Sequence, residues 1–161
     1  MSPTRKVQWS MSATDPKAAW KEARNWFEVA SEDLRVTNAC LRLTPPSLGN
    51  AAYHCQQAAE KVIKGLLVGS GVSFRKVHDL DELASLASPL YPPLATDLDQ
   101  CRCYSAWATD YRYPPEDEAV PPACQDIEEA VTMLQRLLSG ALRIAGDGAD
   151  RSAPRPSRRA W

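Results

Sequence analysis

At 161 residues the chain is long enough to bury one hydrophobic core without disulfide or metal staples, and one domain is its simplest organisation. Nineteen Lys and Arg stand against twenty Asp and Glu, a formal net charge of −1. That balance excludes a strongly basic protein that coats nucleic acid, although not a local basic patch. No run of about 18 apolar residues occurs, so no membrane span is expected. The opening MSPTRKVQWSMSATDP also lacks the apolar centre of a signal peptide.

In chain order, residues 1–14 are polar and without periodicity, and are expected to be a flexible lead. Asp15 then Pro16 is a helix start, with aspartate as N-cap and proline in the first turn. Ala19, Ala23, Phe27, Ala30, Leu34 and Leu41 recur at helical spacing and predict a first helix over about residues 16–43, broken by Thr44–Ser47 (TPPS). Leu48, Ala52, Cys55, Ala59, Val62, Ile63, Leu66 and Leu67 form the apolar stripe of a second helix, ended by Gly69 and Gly71. Its small residues Ala51, Ala52, Ala58, Ala59 and Gly65 invite close approach by a neighbour, while Tyr53, His54, Gln57, Lys61 and Lys64 lie off the stripe.

HDLDELASLAS predicts a short third helix with Asp79 as N-cap and Glu82 three residues on, the capping-box spacing. Pro92 and Pro93 open a fourth, with Leu94, Leu98, Cys101, Ser105 and Ala108 inward. Ile127, Val131, Leu134, Leu138, Ala141 and Leu142 mark a fifth, acidic early and basic late as the helix dipole favours. No segment alternates convincingly, so no sheet is expected. The chain therefore reads as an all-α, up-and-down bundle of about five helices (four long, one short) over residues 15–145, with a Pro- and Arg-rich flexible tail at 146–161.

Five cysteines are an odd number spread through helical segments, and the Cys101/Cys103 spacing suits zinc poorly. They read as free thiols, and neither a metal nor a cofactor is expected. VGSGVS lacks the lysine and following Ser/Thr of a phosphate-binding P-loop.

Four stretches are together more informative: WFEVASEDLRVTNAC (26–40), AAYHCQQAAEKVIKGLL (51–67), KVHDLDEL (76–83) and YRYP (111–114). In that order and spacing they resemble the HEPN family (higher eukaryotes and prokaryotes nucleotide-binding domain), over roughly residues 16–143. The resemblance implies a bundle of four long helices with a shorter one and a homodimer in a prokaryotic cytoplasm. It also implies a minimal nucleotidyltransferase as partner, in a toxin–antitoxin or defence-type module. Many members of the family are metal-independent ribonucleases carrying Arg, four to six residues, then His. Arginine there holds phosphate and histidine supplies acid–base catalysis.

This sequence departs from that motif. Only His54 and His78 are present; Arg75 precedes His78 by two intervening residues, eleven separate Arg42 from His54, and no histidine follows Arg112. The expectation is therefore a protein that binds a nucleotide or RNA phosphate with little or no catalysis. Arg112 is its first candidate contact, flanked by Tyr111 and Tyr113, because a guanidinium fork fits phosphate and tyrosines stack on bases. Tyr104, Lys61, Lys64 and His78 are further candidates, each with the alternative of a solvated face, a cap or a core hydrogen bond. Tyr104, Tyr111 and Tyr113 are the acceptors to test if the partner transfers a nucleotide. Two alternatives remain: a divergent metal-independent endoribonuclease toxin using Arg112, and a dimeric scaffold that binds no small ligand.

Overall fold

A computed structural model describes residues 15–109 and 120–151. The first helix starts where its capping chemistry places it: the Asp15 carboxylate accepts the Lys17 backbone N–H at 3.0 Å, and Pro16 occupies the first turn. The described residues form five α-helices, in order α1 (Pro16–Leu41), α2 (Leu48–Gly69), α3 (Leu80–Ala87), α4 (Ala95–Gln100) and α5 (Cys124–Arg151). Among the described residues there is no strand, and no helix is long and apolar enough to cross a membrane. The all-α bundle of five helices is the architecture expected.

α2 is the centre. It packs against α1 along most of its length and also meets α5, α3 and the segment after α4. Two aromatic residues of α1 set how closely the helices approach. Phe27 lies on Gly65, where an added Cβ would stand 2.4 Å from its Cε1 atom. Trp20 is seated between Gly69 of α2 and Gly148 of α5, within 2.3 Å and 2.5 Å of the Cβ positions these glycines lack. α2 then closes with Gly71 at φ 69°, its N–H bonded to the Val68 carbonyl and that of Val72 to Leu67, a left-handed C-terminal cap.

The structure differs from the sequence expectation in four places. The expected long fourth helix is broken into a 3-10 turn at Pro92–Leu94, α4 over six residues, and a 3-10 segment over Cys101–Ala108. In a 3-10 helix, side chains three apart share a face. Cys101 and Tyr104 are accordingly buried and Trp107 is half-buried; Ser105 and Ala108, expected inward, are half-buried too, and the Ser105 hydroxyl accepts the Leu80 backbone N–H at 3.0 Å. Leu142 is 48% exposed, and Ala145 carries on the inner face of α5 instead. α5 itself continues past residue 145 to Arg151, with Gly148 against Trp20. At α3, Asp79 caps the Asp81 N–H as expected, but Glu82 turns away from the cap and pairs with Arg75 at 2.9 Å.

The Gly65–Phe27 contact yields a direct test. Phe27 is fully buried, and a methyl at Gly65 would stand 2.4 and 2.9 Å from its Cε1 and Cδ1 atoms, so the ring or the helix must shift. Gly65→Ala is therefore expected to destabilise the protein by about 2 kcal/mol from overpacking, despite the gain of up to about 1 kcal/mol in helix propensity. Urea denaturation followed by circular dichroism measures the difference; an unchanged or raised midpoint would show that α1 and α2 separate without cost.

Candidate functional site

Most of α2 is apolar and buried, so the charged residues it carries must find partners inside the fold. They do so in two clusters. In the first, Asp33 of α1 is buried and held from both sides by α2: its Oδ1 meets His54 Nδ1 at 2.8 Å and its Oδ2 accepts from Lys61 Nζ. His54 and Lys61 lie two turns apart on α2, so they bracket the carboxylate. Buried Thr37 donates its hydroxyl to the Asp33 carbonyl at 3.0 Å, and the Tyr53 ring stands edge-on to His54 with centroids 5.2 Å apart.

The second cluster centres on Glu60. One carboxylate oxygen accepts from Lys64 Nζ at 2.7 Å and meets His78 Nδ1 at 2.9 Å; the other accepts from Gln56 Nε2 at 3.2 Å. Gln57 in turn donates to Gln56 Oε1 at 2.7 Å. The Lys64 ammonium also lies about equally near the faces of Trp26 and Phe74, 6.0 and 5.9 Å from their centroids, within reach of cation–π attraction. Burial pushes the Glu60 carboxyl up, but the hydrogen bond and charge of Lys64, with His78 and Gln56, outweigh it and hold its pKa below the ordinary 4.5. No buried side-chain polar atom among the described residues lacks a partner.

Both histidines are thus oriented in the same way. A carboxylate accepts at Nδ1, so Nδ1 carries the proton and Nε2 is left as the basic nitrogen of the neutral ring. Lys61 and Lys64, expected as phosphate contacts, are each neutralised by a carboxylate of the bundle, and His78 is tied to Glu60 while its side chain stays largely exposed. Among the described residues no group of His, Cys, Asp and Glu could hold a metal ion.

A groove of about 660 Å³ opens between the 3-10 segment and α5, within the size range of small-molecule pockets. Its floor holds Tyr104 and Trp107, ring centroids 4.6 Å apart at 31°, with Cys103 and Met133 beside them. Its rim carries Asp126, Glu128 and Glu129, and Arg136, the one arginine among the described lining residues, is bound in a two-pronged pair by Asp97 of α4, with contacts of 3.0 and 2.5 Å. Burial also pushes the Tyr104 hydroxyl well above its usual pKa. The Cys55 thiol, likewise desolvated, is pushed up to about 12 and is inert at neutral pH.

Arg112, Tyr111 and Tyr113 lie outside the described residues. The structure brings Lys61 and Lys64, one turn apart on α2, each against its own carboxylate, and ties His78 to the second cluster. Tyr104 is apart from these, in the groove. Asp33, Glu60 and Gln56 were not expected as members of any site. Glu60 and Lys64, of opposite charge and four apart, were visible as a helical pair in the sequence. Asp33 carried no comparable signal, because its partners lie on another helix.

Removing the Glu60 charge strands a buried lysine. Glu60→Gln is expected to cost about 3 kcal/mol or more, the usual cost of breaking a buried pair, measured by chemical denaturation at pH 7. A carboxyl whose pKa is lowered on folding stabilises fully above its unfolded value and loses that contribution as the pH falls through its folded value. The wild type is therefore expected to lose stability below about pH 4.5, and the variant to show a flatter acid limb. Equal acid limbs for the two proteins would remove Glu60 from this role.

No curated protein and no solved structure matches the chain. A family does: the HEPN domain matches residues 23–143, from the first third of α1 to the last third of α5 and well over half of the sequence. The WFEVASEDLRVTNAC, AAYHCQQAAEKVIKGLL, KVHDLDEL and YRYP stretches all fall within those bounds in the sequence, and the chain belongs to the HEPN family.

Proposed function

We propose that this HEPN protein binds a nucleotide or an RNA phosphate through Arg112, flanked by Tyr111 and Tyr113. In this reading it acts as a cytoplasmic homodimer beside a minimal nucleotidyltransferase, in a toxin–antitoxin or defence-type module. Family membership is the observation that carries the proposal. The side chains of the bundle support a binding role over ribonuclease chemistry. The sequence has no Arg-x4-6-His motif, and each of its two histidines is committed to a carboxylate that also holds a lysine. Lys61, Lys64 and His78 then shape and neutralise the surface of the bundle, and phosphate recognition falls to Arg112. Half-buried Trp107, beside Tyr104 on the groove floor, lies a few residues before Arg112 in the chain and offers an aromatic ring on which a base can stack.

With ATP, GTP or a short oligoribonucleotide at a hundred times its dissociation constant, binding adds about 2.7 kcal/mol of stability. The expected result is a rise of several degrees in melting temperature for the wild type and none for Arg112→Ala. No shift with any of the three probes would favour the scaffold reading. The same protein incubated with tRNA in EDTA is expected to leave it intact; cleavage that disappears in Arg112→Ala would establish the divergent ribonuclease instead.

If the partner enzyme transfers a nucleotide to this chain, the acceptor is expected among the three tyrosines. Tyr104 is buried, and its hydroxyl is pushed well above its usual pKa by burial, both of which disfavour it as an acceptor. Peptide mass mapping after incubation with the partner and a nucleoside triphosphate is expected to place the adduct on Tyr111 or Tyr113.

A further inference from the structure

α1 carries two apolar lines. One of them, through Trp20, Ala23, Phe27, Ala30, Leu34 and Thr37, is buried against the bundle. The second runs through Trp26, Val29, Asp33, Val36, Cys40 and, just past the helix end, Leu43, at alternating steps of three and four residues. That is the spacing of a coiled-coil seam. Its aliphatic members are the exposed ones: Val29 49%, Val36 38% and Leu43 55%, with Trp26 and Cys40 half-buried. Tyr53, His54, Gln57 and Lys61 of α2, also half-buried, flank it.

The charges along this line are sorted. Between residues 28 and 43 every acid (Glu28, Glu32, Asp33) precedes every base (Arg35, Arg42). A second helix of the same sequence laid parallel would set acid on acid and base on base. Within α1, Arg35 already pairs with both carboxylate oxygens of Glu32, at 2.7 and 2.8 Å. Laid antiparallel about a point near Val36, the second helix sets the remaining acid, Glu28, near Arg42 of its neighbour, with Val29 opposite Leu43. A two-fold axis produces this arrangement, since it presents one patch to an identical patch.

We propose that the seam from Trp26 to Leu43 is a self-docking surface on which a second copy of the chain lies antiparallel. The seam is about 26 Å long. Near its centre is Asp33, already neutralised by Lys61 and bound to His54, so the interface closes over a satisfied polar cluster. A single polar residue at a seam position also fixes register. This inference rests on the homodimer reading above and adds to it the surface and its direction.

Sedimentation velocity of the full chain tests it. The wild type is expected to be dimeric, and Val36→Glu to raise the dimer dissociation constant about a hundredfold or more by burying an unpaired carboxylate. Val29→Lys is expected to act alike, with circular dichroism showing that both variants keep the fold. Leu90→Glu, at a residue 45% exposed and outside the seam, is expected to leave the dimer intact. In a chain with Cys40, Cys103 and Cys124 changed to serine, Val36→Cys is expected to cross-link to its own copy under mild oxidation, and Val29→Cys not.

Folded Val36→Glu and Val29→Lys proteins that remain dimeric would overturn the seam while leaving the homodimer standing. Loss of the dimer in Leu90→Glu to the same degree would also overturn the seam. A Val29→Cys self-cross-link would overturn the antiparallel direction. A monomeric wild type would overturn both the seam and the homodimer.

Discussion

Two buried carboxylates, Asp33 and Glu60, govern how this bundle goes together. Taking an ion out of water costs several kcal/mol unless a partner is placed against it. Asp33 on α1 finds its partners only on α2, where His54 and Lys61 bracket it, so α1 cannot slide along α2 by a turn without stranding a charge. Glu60 does the same for the connection into α3, drawing His78 onto α2 while Lys64 and Gln56 complete its shell. Hydrophobic burial supplies most of the driving force, but it is non-directional. These ion pairs supply register.

Close approach has a different origin. The rings of Trp20 and Phe27 need glycine opposite them, and the chain provides Gly65, Gly69 and Gly148 at those points. Trp20 thereby touches both α2 and α5 and links the first and last helices of the bundle through their shared neighbour. Arg24 reinforces the same junction by donating to the Ala145 carbonyl at 3.2 Å. That junction also gives α5 a contact at Gly148, beyond the point where composition suggests that the helix has ended.

Most of the fold could be read from the residues because it rests on local signals. The Asp15–Pro16 start, the stripe of α2 and its glycine ending each involve neighbours within one or two turns. Failures came where the decisive contact was remote or the period changed. Nothing local in CRCYSAWA distinguishes a 3.0-residue from a 3.6-residue repeat, so Tyr104 and Trp107 became core-facing only once the segment packed on α2. The candidate site divides in the same way. Lys64 was visible as a cation beside Glu60, but its burial between Trp26 and Phe74 depends on α1 and on the loop before α3. Asp33 looked like one acid among several on α1 until α2 supplied its counter-charges.

The ion pairing also bears on which surfaces can do what. Lys61 and Lys64, and the arginines Arg75, Arg102 and Arg136, each lie against a carboxylate of the chain itself. A phosphate arriving at any of them must compete with an anion already in place. The same pairing makes the α1–α2 face easier to cover. A surface whose charges are already matched loses little when water is withdrawn, whereas an unmatched lysine there would resist burial. One set of internal pairs thus sets an anion against each lysine of the face and, in the proposed self-docked dimer, leaves little unmatched charge to desolvate.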